Sequence, residues 1–521
     1  TYNVAIGHIA GSSITTGVNN TIMGGLAGDA LTTSTNNVLL GYEAGTNATI
    51  GNSNTAVGFQ ALYANVAGDR NVAVGTGALT FMTSASTADT YNVAVGYQAG
   101  GSVTTGTVNT IIGGLAGDAL TTGANNVALG TLALSSETGG GKNVAIGYGS
   151  LELLNFNDDG NNVAVGYVAG QRITTGVRNT LIGSLAGDAI TSGSDNLVLG
   201  YNAGGAMTSA QQNTAVGAYA ADAITTGTAN VALGYNALTA SIDGDFNTAL
   251  GYKALEDYED GDGNGHNTAV GAKSQLNAST GEFNTSLGSL SMGAGITTGD
   301  QNVAIGYATG ISIAAGAFNI LVGNSAGTAI TTGTENVAIG HQALSTEDGH
   351  GKNVAVGHAA LLTLNAGVDA YNVAIGNIAG KFMTTGVQNT LIGGQTGDAL
   401  TTGSYNTAIG HQALTTEDVG SKSTAVGYNA LAAQNVDGDI LNTAVGYFAG
   451  KSITTSTHNT LMGGLSGQSL TEGNLNVAIG YGTLAAETLG DRNVAIGVNA
   501  LNAQNNTSDV DAYNVAIGYE A

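Results

Sequence analysis

One short string recurs from end to end of this chain and leaves few folds open to it. Asn3-Val4-Ala5-Ile6-Gly7 returns, as Asn, Val or Thr, usually Ala, an aliphatic residue and Gly, through to Asn514-Val515-Ala516-Ile517-Gly518, thirty copies in 521 residues. Most of the intervals between leading Asn residues equal the step from Asn3 to Asn20, and the few others are slightly longer. A fixed period this short means a solenoid, whose units bury their apolar faces only by stacking on their neighbours. Length alone would suggest several domains, but an unbroken repeat predicts one continuous β-solenoid shaft over residues 1–521.

We number each copy from its Asn. Position 1 is Asn in 29 copies, with Ser423 the exception, position 4 is always Val, Ile, Leu or Met, and position 5 is always Gly. Such a stretch reads as a short β-branched strand closed by glycine, with positions 2 and 4 on one face and position 3 on the other. Position 3 is Ala in 21 copies and polar only at Ser286. A strand apolar on both faces is covered on both. One face fills the coil, and position 3 is expected to meet a neighbouring copy of the chain.

The rest of the unit runs Tyr-x-Ala-Gly/Leu and then Ile/Leu-Thr-Thr-Gly, as from Tyr167 to Gly176. It predicts a second strand ending near Thr-Thr and a Gly/Asn turn back, so that one repeat is one rung of two strands. The recurring Asn is expected to stack in that turn. Four rung types recur in a fixed order, with evenly spaced blocks starting at Asn302, Asn372 and Asn442. Rung three ends in an acid followed by a base, Glu137 with Lys142, Glu347 with Lys352, Glu417 with Lys422 and Glu487 with Arg492, while extra residues follow rung four. Where position 3 is large, position 6 is usually small, as in Ile111 with Gly114 and Leu391 with Gly394. Leu39 with Tyr42 breaks that trend. Close packing would impose such compensation.

Composition closes off several function classes. A net charge of −25 excludes the basic footprint of a nucleic-acid binder and disfavours anionic membranes. No apolar run approaches the roughly 18 residues of a membrane span. Thr1-Tyr2-Asn3 repeats the lead-in Thr90-Tyr91-Asn92, and the chain stops inside another repeat, so it reads as an excerpt of a longer polypeptide. The absence of Cys fits an extracellular fibre that needs no disulfide.

The Asn-Val-Ala-Ile-Gly-Tyr-x-Ala string resembles the head repeats of trimeric autotransporter adhesins, and the Gly-Leu-Ala-Gly-Asp-Ala-Leu-Thr-Thr-Gly form of Gly114 to Gly123 is similar to repeats in bacteriophage tail fibres. The resemblance covers essentially the whole chain. It implies left-handed parallel β-rolls packed three around an axis, although the 17-residue period and 70-residue superperiod depart from the adhesin heads. The expectation is therefore an all-β homotrimeric β-roll of about thirty rungs. It would serve as the structural shaft of a phage tail fibre or, alternatively, of a bacterial surface adhesin, placed on a virion or cell surface. A host receptor or glycan would bind through tips outside this segment.

Candidate chemistry is sparse. Asp260-Gly261-Asp262-Gly263-Asn264-Gly265 matches the first half of a calcium-binding loop, where alternating oxygens surround a hard cation, but Gly271 stands where the closing Glu belongs. Asp260, Asp262 and Asn264 are the candidate ligands, and no other cofactor is expected. His341 and His358 share position 6 on successive rungs and should stack about 5 Å apart. A polysaccharide-cleaving spike needs paired carboxylates in a groove. Here the acids sit in short turns and Trp is absent, so no enzyme is expected. Ice binding needs an unbroken Thr ladder, whereas Thr15-Thr16 and Thr32-Thr33 give way to Thr49-Ile50 and Val66-Ala67.

Overall fold

A computed structural model describes residues 2–84, 88–259 and 265–521, and among them there is no helix, hence none long and apolar enough to cross a membrane. The chain falls into two compact units, Thr1–Gly265 and His266–Ala521. Each is a parallel β-solenoid with fifteen three-residue strands, from Val4–Ile6 to Thr248–Leu250 in the first and from Thr268–Val270 to Val515–Ile517 in the second. Consecutive strands pair in parallel with like positions opposite one another, Val144 facing Val163 and Ala145 facing Ala164, for example. The fold class read from the period is therefore the one observed, about thirty turns with one turn to each repeat.

Three-residue strands suffice because every side of the coil, and not the strand alone, bonds to the next turn. The position 7 amide reaches back to the position 6 carbonyl, as in Leu26 N–H to His8 O at 2.9 Å. The Thr side reaches forward, as in Thr15 N–H to Thr32 O at 2.9 Å. That Thr side is not the second strand the sequence suggested. Its residues form bends, and left-handed residues just before each Asn, such as Asn36 at φ 62°, break the extended geometry. Glycine at position 5 is compulsory for two reasons. Gly24 sits at φ 143°, where side chains are strained, and a Cβ there would lie 2.2 Å from the carbonyl oxygen of Gly41.

Position 3 points into the coil, which corrects the expectation that it meets another chain. Ala145, Ala355 and Leu391 are fully buried inside a single copy, alongside the Ala of position 8 and the residues of positions 9 and 12. Positions 2 and 4 face outward. The volume trade is corrected with it, because position 6 is outside: a Cβ on Gly114 would touch nothing. The interior partner of position 3 is position 9. Each rung with Ile, Leu or Val at position 3 has Gly there, Ile22 with Gly28, Leu39 with Gly45, Leu181 with Gly187 and Val198 with Gly204 among them. A Cβ on Gly28 would meet Leu39 Cδ1 at 2.7 Å and Leu31 Cδ1 at 2.8 Å. Rungs with Ala at position 3 are free to carry Leu at position 9, as Leu62, Leu134 and Leu414 do. Leu39, the exception to the position 6 trend, obeys this one.

Candidate functional site

The Asn column is structural, as expected. Asn109 N–H donates to Asn92 Oδ1 at 3.0 Å, while Asn109 Nδ2 donates to the carbonyl of Gly123 at 2.9 Å, and the pattern repeats along each unit. Each side chain thus closes its own turn and receives the next. At Ser423 the missing amide is replaced from inside the core. Gln434 Nε2 donates to Ser423 Oγ at 3.0 Å and Gln434 Oε1 accepts from Asn442 Nδ2 at 2.9 Å.

The acids of rung three lie elsewhere than the sequence pairing implied. Glu137, Glu347, Glu417 and Glu487 occupy position 12 and are fully buried. None pairs with the base five residues on. Each carboxylate instead accepts amide protons from its own turn and from the insertion of the following rung. Glu417 takes Gly420 N–H at 2.7 Å, Val436 N–H at 3.3 Å and Gln434 Nε2 at 3.0 Å. Glu137 likewise takes Gly140 N–H at 2.7 Å and Phe156 N–H at 3.2 Å. Burial pushes Glu137, Glu347 and Glu417 above the ordinary glutamate range, against the pull of these amides. For Glu487, burial acts in the same direction, but Gln504 and the amides of Gly490, Asn506 and Thr488 outweigh it and leave the group lowered.

The bases grip the same insertions from outside. Lys142 pairs with Asp159 at 2.6 Å, Lys352 with Asp369 at 2.6 Å, Lys422 with Asp439 at 2.5 Å, and Arg492 with Asp511. Arg70 holds Asp89 in the same way and lies over the Tyr91 ring, as Lys352 does over Tyr371 and Arg492 over Tyr513. The hydrogen bond to Asp369 holds the Lys352 ammonium well above its usual range. Exposed pairs like these contribute little stability each. Their consequence is local, fixing where each edge loop lies.

Asp260, Asp262 and Asn264 fall outside the described residues. In two shorter Asp-Gly-Asp turns, Asp243-Gly244-Asp245 and Asp437-Gly438-Asp439, Asp245 accepts Thr228 N–H at 2.5 Å and Asp439 is taken by Lys422. Among the described residues one cluster, Glu347, Asp348 and His350, has metal-ligand spacing. Glu347 is already occupied there by the amides of His350 and Ala366. His341 and His358 stack with centroids 5.3 Å apart and planes 5° from parallel. Position 6 rings of the first unit stack in the same way, Tyr42 on Phe59 at 5.9 Å and Tyr235 on Tyr252 at 5.8 Å. On the Thr side the inner hydroxyls are engaged by the chain itself, Thr15 Oγ1 with Thr32 O at 3.1 Å and Thr32 Oγ1 with Thr49 O at 2.9 Å.

Among the described residues, the outward face of the strands is covered by no other element of the chain. Position 2 and 4 side chains line up at rung spacing and are half-buried, as at Ile146 and Ile305, or exposed, as at Leu287 and Met23, the latter to 48%. Beside them run the rings of position 6, with Tyr97 and Tyr167 more than half exposed. Contiguous apolar surface of this kind marks an interaction site. No protein-family model and no curated protein matches the chain.

Proposed function

We propose that the chain is a structural shaft, a non-enzymatic β-solenoid spacer of an extracellular fibre, in which three copies pack by their outward strand faces. The observation that supports it is the half-exposed column of Val, Ile, Leu and Thr at positions 2 and 4, continued through fifteen rungs of each unit. A second copy of the same chain has the same rung spacing and so can match this column rung for rung. A partner without the repeat could match it only locally. The self-bonded turns and buried Asn column suit a rigid spacer, since each rung is held on all sides by its neighbours.

The first assignment is the shaft of a phage tail fibre holding out a receptor-binding tip, and the second is a bacterial surface adhesin of the trimeric autotransporter type. Flanking sequence separates them, a virion-attachment domain favouring one and a signal peptide with a membrane anchor the other. The chain has no Cys, so an introduced one reports only its own position. Ile409→Cys, on the outward face, should give a three-chain product with a short trifunctional maleimide, and Thr402→Cys, exposed on the Thr side, should not. Failure of Ile409→Cys to cross-link, or equal cross-linking at Thr402→Cys, would overturn the packing.

A further inference from the structure

The column of position 6 rings in the first unit is interrupted at several rungs, and at one of these interruptions a cavity opens. Phe59 and Tyr97 are separated by the rung of Asn71, which carries Thr76 at position 6 and Gly77 at position 7. There a cavity of about 360 Å³ opens, lined by Phe59, Thr76, Gly77, Phe81 and Tyr97 among others. Some of the other gaps are closed by the chain itself, though that at Gly114 is not. At Gly25 and Gly464 the ring of the next rung leans across, since a Cβ on either would meet Tyr42 Cδ2 at 3.3 Å or Tyr481 Cδ2 at 3.4 Å. At Ala218, between Tyr201 and Tyr235, the position 7 residue is Tyr219. Its ring stands edge-on in the slot, with centroids 5.5 Å and 6.1 Å from its neighbours and planes about perpendicular, at 80° and 82°.

Tyr219 shows what such a slot accepts, a six-membered ring bearing a hydroxyl between two aromatic side chains. The rim of the Gly77 slot adds a polar requirement. Gln60, Gln98, Ser102 and Asp118 line it. Asp118 adds negative charge beneath the rim, with its Oδ1 shielded from solvent. Gln60 Nε2 is held by Glu43 at 2.7 Å, which fixes its amide at the rim. Aromatic walls that take a ring face, with a few fixed amides for orientation, form the chemistry of a small-molecule subsite. Several neighbouring hydroxyls on the ligand would satisfy that rim better than one. Asp118, Glu43 and the net charge of −25 disfavour an acidic ligand.

We propose that the Thr76-Gly77 slot is a binding subsite for one pyranose ring of a neutral saccharide. The ring lies between Phe59 and Tyr97, with its hydroxyls bonded to the amides of Gln60 and Gln98. The slot is built from positions 6, 7, 10 and 11, beside the outward strand face.

Saturation-transfer NMR on the whole chain tests this, with the methyl glycosides of glucose, galactose and mannose as probes and p-cresol as the aromatic control. At least one glycoside should show saturable transfer at millimolar concentration. Gly77→Tyr copies the Tyr219 plug, and position 7 already holds Tyr219 at φ 58° against 69° for Gly77, so the variant should fold and lose the signal at least tenfold. Tyr97→Ala and Gln98→Ala, both exposed positions, should weaken it and serve if Gly77→Tyr melts early. No saturable glycoside, equal binding by the folded variants, or binding of p-cresol in place of the sugars would each overturn the proposal.

Discussion

Replacing Glu417 by Leu tests whether the buried acids hold the edge loops. Leu suits position 12, where Leu400 and Leu470 sit fully buried, so shape is conserved. The change strands three donors, the amides of Gly420 and Val436 and the Nε2 of Gln434. Each unsatisfied buried donor costs about 1–3 kcal/mol. The Leu side chain returns roughly 1.5–3 kcal/mol through burial of apolar surface. The Val436 bond is only part-buried, so water can take over that donor and keep the sum toward its low end. The net is a local loss of about 2–3 kcal/mol, which would speed hydrogen exchange around Val436 roughly thirty- to hundredfold, at tenfold per 1.4 kcal/mol. Exchange mass spectrometry resolving residues 418–440 from the rest of the second unit is the assay. Unchanged exchange at Val436, or uniform acceleration throughout the unit, would refute the idea of a local clamp.

The same acid fixes a pH dependence. Burial raises the folded-state pKa of Glu417 above its ordinary 4.5, so folding favours the protonated form. Stability from this group is greatest below pH 4.5 and is lost as pH rises through the folded-state value. Glu137 and Glu347 act in the same direction. Glu487, being lowered, acts in the opposite one, contributing above 4.5 and losing its contribution on acidification.

Three further outcomes are expected. Gly397→Leu should lower the melting temperature, because a Cβ there already meets Leu400 Cδ1 at 2.9 Å and Leu391 Cδ2 at 3.0 Å and overpacking costs about 1–3 kcal/mol. Adding Leu391→Ala recreates the Ala408 and Leu414 arrangement of the next rung and should restore most of the loss. Deleting Asn372 to Leu441 removes one whole four-rung period and should leave a folded second unit about 19 Å shorter, at roughly 4.8 Å per rung. Deleting residues 372–406 instead slips the next rung by one residue, turning Ala408 outward, and should aggregate on thermal melting. Calcium at Asp260, Asp262 and Asn264 should appear as heat uptake or release in millimolar titration calorimetry, lost in Asp260→Asn with Asp262→Asn, and a flat titration ends that assignment.

The rung was legible in the sequence because each constraint acts at a fixed offset. Gly at position 5 answers to a backbone angle and a close carbonyl, and Asn at position 1 answers to the turn below it and the Asn above. Which face of the strand is inside was not legible. Val, Ala and Ile are apolar on both faces, and only the closed coil decides that Ala goes in. The Thr side read as a strand because Thr is β-branched, while the turn geometry that overrides it comes from left-handed positions filled by ordinary residues such as Arg178 and Leu475. The acid and base of rung three looked like partners because they stand close together in the sequence. Their real partners, such as the Val436 amide for Glu417 and Asp439 for Lys422, lie on the neighbouring rung. The gap at Thr76-Gly77 is visible in the sequence as a break in the aromatic column, but that position 7 plugs such gaps emerges only from the placement of Tyr219.

The association of three chains through the outward strand face is the claim on which the shaft rests, and the mass of the purified protein in solution tests it most directly. Sedimentation equilibrium should return three chains of 51.2 kDa, about 154 kDa, without dissociation on dilution to the detection limit. A folded single chain of 51.2 kDa, with the same melting temperature at all concentrations, would contradict it.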